Sequence, residues 1–235
     1  DVIKTVKIDP VTEAELEVLA SYDYEVDAAG NREEVIDHNG RKVEYEYDEL
    51  NRVIEEKISN PLDASEDGRR ITYVYDAVGN ITSKGDFGSG LGYGDISRAT
   101  DNAGPNAVIS VNKNTGGTAT YEYDLNGNME VGDGKTLTYN AFNKPLTINK
   151  NGVTSTFSYG ADQMRYKQVK TGLPGGTETT IYIDKSYEEI TQNGVTKKRS
   201  YLGDAIVTET VGGSDSGFKI GFVHRDRLGS TVTIT

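Results

Sequence analysis

The sequence contains no cysteine and no tryptophan, and only two methionines, two histidines and five prolines among 235 residues. Without cysteine, disulfides and thiolate metal sites are excluded, and cysteine usage gives no hint of compartment. The two histidines, His38 and His224, are too few and too far apart in sequence to suggest a zinc cluster or a Ser-His-Asp arrangement. Hydrophobic runs are short: no stretch of 18 apolar residues exists, so no membrane insertion is expected. Alanine and leucine are scarce, and no segment has the look of a long amphipathic helix. Apolar residues make up 35% of the chain, which predicts a thin core. Positive charge is in deficit, 25 Lys and Arg against 37 Asp and Glu, for a net charge of −12. Phosphate contacts need clustered cations, so neither nucleic acid nor an anionic membrane is an expected partner. The chain starts DVIKTVKIDP, without Met or a leader, and reads as a soluble piece of a longer protein.

What is present is tyrosine, 15 against five phenylalanines, together with 27 glycines. The tyrosines recur in a repeat. Aligned on one position, it runs through Asp27 (YEVDAAGNR), Asp48 (YEYDELNRV), Asp76 (YVYDAVGNI), Gly94 (GYGDISR), Asp124 (YEYDLNGNM), Asn140 (TYNAFNK) and Gly160 (SYGADQM). The spacings are 21, 28, 18, 30, 16 and 20 residues, a period that signals an array of small supersecondary units. Tyr45 and Tyr47 are two apart and so project from one face of a strand, with Glu44 and Glu46 on the other. Asp48 then opens a turn, because its carboxylate accepts backbone N–H bonds two residues on. Gly79, or Asn51, at the fourth position tolerates the left-handed conformation that closes the loop. Each unit therefore predicts a hairpin. Side-by-side pairing of hairpins predicts that the Tyr pairs align across strands into an aromatic ladder. The residues assigned to this repeat are Tyr24, Asp27, Gly30, Tyr45, Tyr47, Asp48, Tyr73, Tyr75, Asp76, Gly79, Tyr121, Tyr123, Asp124, Gly127, Tyr139 and Tyr159.

The predicted fold is all-β, a repeat array of antiparallel β-hairpins in one continuous curved sheet. Residues 1–164 carry the Tyr-Asp array. From 165 to 235 that spelling fades while strand signals persist (MRYKQVK, ETTIYIDK, YEEITQ, TKKRSYLG, AIVTETV, FKIGFVH), and no confident domain boundary appears. The inserts at 60–70, 84–108 and 211–218 read as loops.

At YDAVGNI, YEYDLNGNM, GKTLTYNAFNKPLTI and FSYGADQMRYK the sequence resembles the RHS/YD-repeat family of bacterial polymorphic toxins, toxin-complex shell subunits and teneurins. The resemblance spans nearly the whole chain. YEEITQNGVTKKRSYLGDAIV is similar to the segment where repeats give way to the RHS-associated core. HRDRLGS is similar to the family's HxDxLGS signature, which gives His224, Asp226, Leu228, Gly229 and Ser230 as signature positions, with Arg225 and Arg227 variable. The resemblance implies a spiralling sheet that closes into a shell around a C-terminal toxin. It also implies a self-cleaving element with paired DPxGL motifs downstream of that signature. The sole DP here is Asp9-Pro10, followed by VTE, so neither self-cleavage nor toxicity is expected of this segment.

Other motifs dissolve on inspection. His224-Arg225-Asp226 and Asp86-Phe87-Gly88 spell the HRD and DFG of protein kinases. They stand in the wrong order, however, with Thr231 where the catalytic Asn belongs and no VAIK lysine. Asp124, Asn126 and Asn128 imitate an EF-hand loop, but Met129 replaces its glycine and Lys135 its bidentate glutamate. Among 37 acids, a glycosidase-like pair carries no information. Asn80-Ile81-Thr82 is a formal glycosylation sequon.

No enzymatic activity and no cofactor is expected. The expected role is structural, part of the wall of an exported bacterial protein, secreted or at the cell surface, whose partners are the remainder of that protein and its C-terminal effector. The alternative is a binding module for adhesion, in which the tyrosine face stacks on a cell-surface glycan.

Overall fold

The computed structural model describes residues 2–8, 12, 15–100, 102–225 and 229–235. Every regular element among them is a strand: β1 (Val2–Ile8), β2 (Glu15–Val26), β3 (Arg32–Asp37), β4 (Lys42–Tyr47), β5 (Val53–Ser59), β6 (Arg70–Tyr75), β7 (Ile81–Lys84), β8 (Gly88–Tyr93), β9 (Val108–Lys113), β10 (Thr118–Tyr123) and β11 (Met129–Gly132), then β12 (Lys135–Tyr139), β13 (Pro145–Lys150), β14 (Val153–Tyr159), β15 (Arg165–Thr171), β16 (Glu178–Ile183), β17 (Tyr187–Gln192), β18 (Val195–Leu202), β19 (Ala205–Val211), β20 (Gly217–Arg225) and β21 (Thr231–Ile234). The all-β hairpin array expected from the repeat is the fold observed. One expected loop is corrected: the Gly-rich stretch 84–108 contains β8. Its glycines do not prevent pairing, because β7 and β8 join at Ser83↔Ser89 and Lys84↔Gly88.

The chain forms two compact units. One comprises Asp1–Leu91, Asn112–Gly117 and Val223–Thr235, the other Gly92–Val111 and Thr118–Phe222. In the first, each strand from β1 to β8 pairs antiparallel with its neighbour in sequence. A small cluster of Val43, Ile58 and Ile71 is buried, with Tyr45 and Tyr73 packed against it. These residues alternate with polar ones along their strands, so one face of β4–β6 is apolar but for Glu56 and the other carries most of the charges. In the second unit, the strands from β10 to β20 pair in the same sequential manner. Its buried residues include Ala103, Val111, Phe157 and Thr180. At the chain's end β20 pairs with β21 through Val223↔Ile234, His224↔Thr233 and Arg225↔Thr231.

The hairpins close in two ways. At the Tyr-Asp positions the register slips immediately before the turn: between Glu46 and Tyr47, Val74 and Tyr75, Glu122 and Tyr123, Thr138 and Tyr139, and Ser158 and Tyr159. These are β-bulges, which raise local twist and re-aim the side chain beside them. From β16 to β20 the registers run without a slip. Asn193-Gly194 joins β17 to β18 with both residues at positive φ, a two-residue primed turn.

Candidate functional site

The candidate functional unit is the Tyr-Asp hairpin, and its aspartate follows most simply from the sequence. Asp48 Oδ1 accepts from the backbone N–H of Leu50 (2.9 Å) and of Arg52 (3.0 Å), while Arg52 Nε donates to Oδ2 (2.8 Å). The backbone closes around it, with Asp48 N–H donating to Arg52 O and Asn51 N–H to Asp48 O. Asn51 carries the positive φ of 58° that this turn requires at its fourth residue. The same bonds recur at Asp27 with Ala29 and Asn31, at Asp76 with Val78 and Asn80, and at Asp124 with Asn126 and Asn128. Gly30, Gly79 and Gly127 fill the fourth position in those three. Asn140 replaces the carboxylate with an amide oxygen that accepts from Phe142 and Lys144. At Gly160 the backbone makes the same turn, and Asp162 supplies the carboxylate to Met164.

Two placements differ from the alignment. Gly94 does not open a hairpin turn. The turn begins at Asp95, whose N–H donates to Ala103 O across a long loop. A Cβ at Gly94 would lie 2.1 Å from that same carbonyl oxygen, so the glycine serves close packing. Conversely, Asp37 makes the full turn, with N–H bonds to its Oδ1 from Asn39 and Arg41 and with Gly40 at positive φ. No tyrosine precedes it, and alignment on Tyr-Asp passes over it.

The paired tyrosines divide the work. The first of each pair packs: Tyr45 and Tyr73 lie against the Val43, Ile58 and Ile71 cluster, Tyr24 is 4% exposed, and the Tyr121 ring lies over Gly132, its partner across the strands. The second donates its hydroxyl to a backbone carbonyl of the preceding hairpin. Tyr47 reaches Arg32 O (2.7 Å), Tyr75 reaches Val53 O (2.7 Å), and Tyr123 reaches Val108 O (2.8 Å). Tyr139 reaches Met129 O (2.8 Å) and Tyr159 reaches Pro145 O (2.7 Å). Each acceptor is the first residue of a strand. Arg32, Val53, Met129 and Pro145 each stand five positions after the residue that opens the preceding turn. Proline is tolerated at 145 because the position has to offer only its carbonyl. Partial burial pushes all five of these phenols above their usual range, so they remain donors at neutral pH.

These bonds replace the expected ladder of ring on ring. Tyr45 pairs with Glu56 and Tyr47 with Val53, so from β2 to β14 a return strand stands between the tyrosine-bearing strands. The link between hairpins is therefore a hydroxyl crossing to the preceding unit rather than a stack of rings. Glu56, which alternation puts on one face of the return strand with Ile54 and Ile58, sits on the tyrosine face and accepts the Tyr73 hydroxyl. That bond, after burial, drives the Tyr73 phenol well above its usual range. Cations complete the contacts: the Arg52 guanidinium lies 4.4 Å from the Tyr75 ring centroid and that of Arg32 5.0 Å from Tyr24.

The signature residues are partly visible. His224 is buried at the end of β20, with Nε2 2.6 Å from Thr235 Oγ1. Gly229 takes a positive φ, and its carbonyl accepts from Arg225 Nη1 at 3.2 Å; Ser230 is exposed. Asp226, Arg227 and Leu228 lie outside the described residues, as do Asp9 and Pro10. Asp86 of the DFG triplet is engaged by Lys84 (2.9 Å) and Arg69 (3.5 Å) in the turn before β8. Asn80 of the sequon spends its side-chain amide on Asp76.

Residues 26–61 match the family model for the RHS repeat. No curated protein matches in sequence. Among solved structures, the crystal structures of TcdB2-TccC3-Cdc42 and TcdB2-TccC3-TEV are similar over 98% of this chain at 14% identity, with TM-scores of 0.44 and 0.43. The chain spans 16% of the length of each of those chains. Residues 26–61, the stretch that matches the RHS repeat, hold the Asp27 and Asp48 turns and the Tyr47 hydroxyl bond between them.

Proposed function

We propose that this chain is a wall segment of a larger exported bacterial RHS protein, and that the wall encloses or presents a C-terminal effector. The observation that carries the proposal is the recurrence of one inter-hairpin bond in five places, from Tyr47 to Tyr159. Side chains that would otherwise be free to converge on a reactant are spent in joining each hairpin to the one before. That is the economy of a scaffold, and it assigns no catalytic residue to the segment. The match of residues 26–61 to the RHS repeat supports the same reading.

The test is limited proteolysis of the full-length protein encoded by the parent gene. The C-terminal region should resist digestion while the hairpin array is intact and become digestible when Tyr47, Tyr75 and Tyr123 are replaced by Phe. Equal digestion with and without an intact array would remove the enclosing role. The reading also predicts that the parent gene continues into a DPxGL-bearing segment and a variable effector.

A second reading, adhesion through a cell-surface glycan, is favoured by one feature. A groove of about 400 Å³ is lined by Asn31, Arg32, Tyr45 and Tyr47, with Tyr24 buried at its base, and sets the Tyr45 and Tyr47 rings beside polar groups. A glycan array without hits would remove it.

A further inference from the structure

We infer that the groove on β18, β19 and β20 is a binding site for a compact oxyanion, a sulfate or phosphate monoester. The groove has a volume of about 460 Å³ and is lined by Lys197, Arg199, Thr208, Thr210, Ser214 and Lys219, among others. It lies within one compact unit and is independent of the shell role.

Register explains why these groups share a face. Arg199 stands opposite Thr208, and Thr208 opposite Lys219, so one row across three strands reads cation, hydroxyl, cation. In the next row Lys197 stands opposite Thr210. The other face of the same strands is built differently. Lys198, between the two groove cations, faces Glu209 and pairs with it at 3.4 Å. In a chain with 37 acids and 25 bases, a lysine opposite a carboxylate is the ordinary arrangement. On the groove face Arg199 stands between Glu188 and Thr208, but Lys197 stands between Ile190 and Thr210, and Lys219 opposite Thr208, so the two lysines face hydroxyls that can donate to an anion and neutralise nothing.

Among the described residues, neither Lys197 nor Lys219 has a carboxylate partner. Arg199 is held by Glu188, its Nη1 donating to Oε1 at 2.9 Å, which fixes the guanidinium and leaves its other N–H groups to donate. The 212–216 loop supplies the end wall, through Gly212, Gly213, Ser214 and Asp215. A Cβ at Gly212 would fall 2.5 Å from Gly194 O, so glycine lets this loop lie close against the neighbouring turn. Asp215 contributes a carboxylate to that wall, which limits the charge the groove can accept.

Size and charge choose the ligand. With a net charge of −12, an extended polyanion is repelled at long range, whereas a group of one or two charges meets only the local field. Tetrahedral oxyanions accept charge-assisted bonds from Lys and Arg together with hydroxyl donors.

The test titrates the ¹⁵N-labelled chain with inorganic sulfate, glucose 6-sulfate, glucose 6-phosphate and neutral glucose at constant ionic strength, following the Gly212 and Gly213 amides. The three anions should give saturable shifts and glucose none, and the tighter of the two esters identifies the source. The Lys197→Gln, Lys219→Gln double variant should weaken binding by roughly tenfold or more. Lys198→Gln, one position away on the opposite face, should leave it unchanged. Shifts that fail to saturate, or an equal loss in Lys198→Gln, would reduce the effect to bulk charge and overturn the site.

Discussion

The hairpins before residue 165 and those after it solve the same problem by different means. In the earlier region the Asp48, Asp76 and Asp124 hairpins each carry a bulge, a carboxylate-closed turn and a hydroxyl bond to the preceding hairpin. In the later region β16 to β20 pair in unbroken register, and their tyrosines bond to side chains: Tyr182 to Gln168 and Tyr201 to Glu188. Cross-strand ion pairs join them there, Lys170 with Glu178 and Arg199 with Glu188. A bulged strand breaks its ladder beside the turn and leaves carbonyls to be satisfied, and the tyrosine hydroxyl satisfies one. A strand in full register has no such carbonyl, and the need for a tyrosine at that place disappears.

The largest expected effect tests the earlier region alone. Tyr47→Ala and Tyr123→Ala each remove a half-buried ring together with its bond, and should cost about 2 to 4 kcal/mol in urea denaturation. A loss below about 0.5 kcal/mol would mean that the rings merely lie on the surface.

A finer test sets the two regions against each other. Tyr75→Phe deletes one hydroxyl and orphans the Val53 carbonyl, which should cost about 1 kcal/mol. Tyr182→Phe deletes a bond to the flexible Gln168 amide and should cost under about 0.5 kcal/mol. Equal losses would erase the distinction. Smaller still is Lys198→Gln, which breaks a half-exposed pair with Glu209. It should change stability by no more than about 0.5 kcal/mol, and less in high salt.

Acid acts on the turns of the earlier region. The Arg52 side chain holds Asp48 below its usual range, and the Asn128 amide does the same for Asp124. A carboxylate lowered in the fold contributes stability above its unfolded value, near 3.9, and loses it as pH falls through the folded value. The urea midpoint should therefore drop below about pH 4. Asp48→Asn and Asp124→Asn should flatten that drop, and an unchanged acid limb would contradict the turn assignment.

Much of this was legible beforehand. The Asp turn follows from the reach of a short carboxylate, and the positive φ at Asn51 and Gly79 from the residues standing there. The hydroxyl bond was not legible from any one repeat, because its acceptor lies 10 to 22 residues back in another hairpin. The signal was nevertheless present in the set. The first position of the pair varies among Tyr45, Leu137 and Phe157, whereas the second is tyrosine at 47, 75, 123, 139 and 159 and departs from it at Val26 in the first copy. A position that accepts Leu or Phe needs bulk, and one that keeps tyrosine needs the hydroxyl. His38 beside Asn39-Gly40 spells a hairpin tip, but the Asp37 carboxylate that closes it stayed hidden because no tyrosine precedes it, and the oxyanion groove stayed hidden because it depends on register across three strands.

The central claim is that the second tyrosine of each pair binds its hairpin to the one before through its hydroxyl. The most direct measurement compares a chain with Phe at 47, 75, 123, 139 and 159 with one bearing Phe at 45 and 121, by urea denaturation. The first should lose roughly 1 kcal/mol per hydroxyl and the second almost nothing. Equal losses per substitution, or none in either, would contradict it.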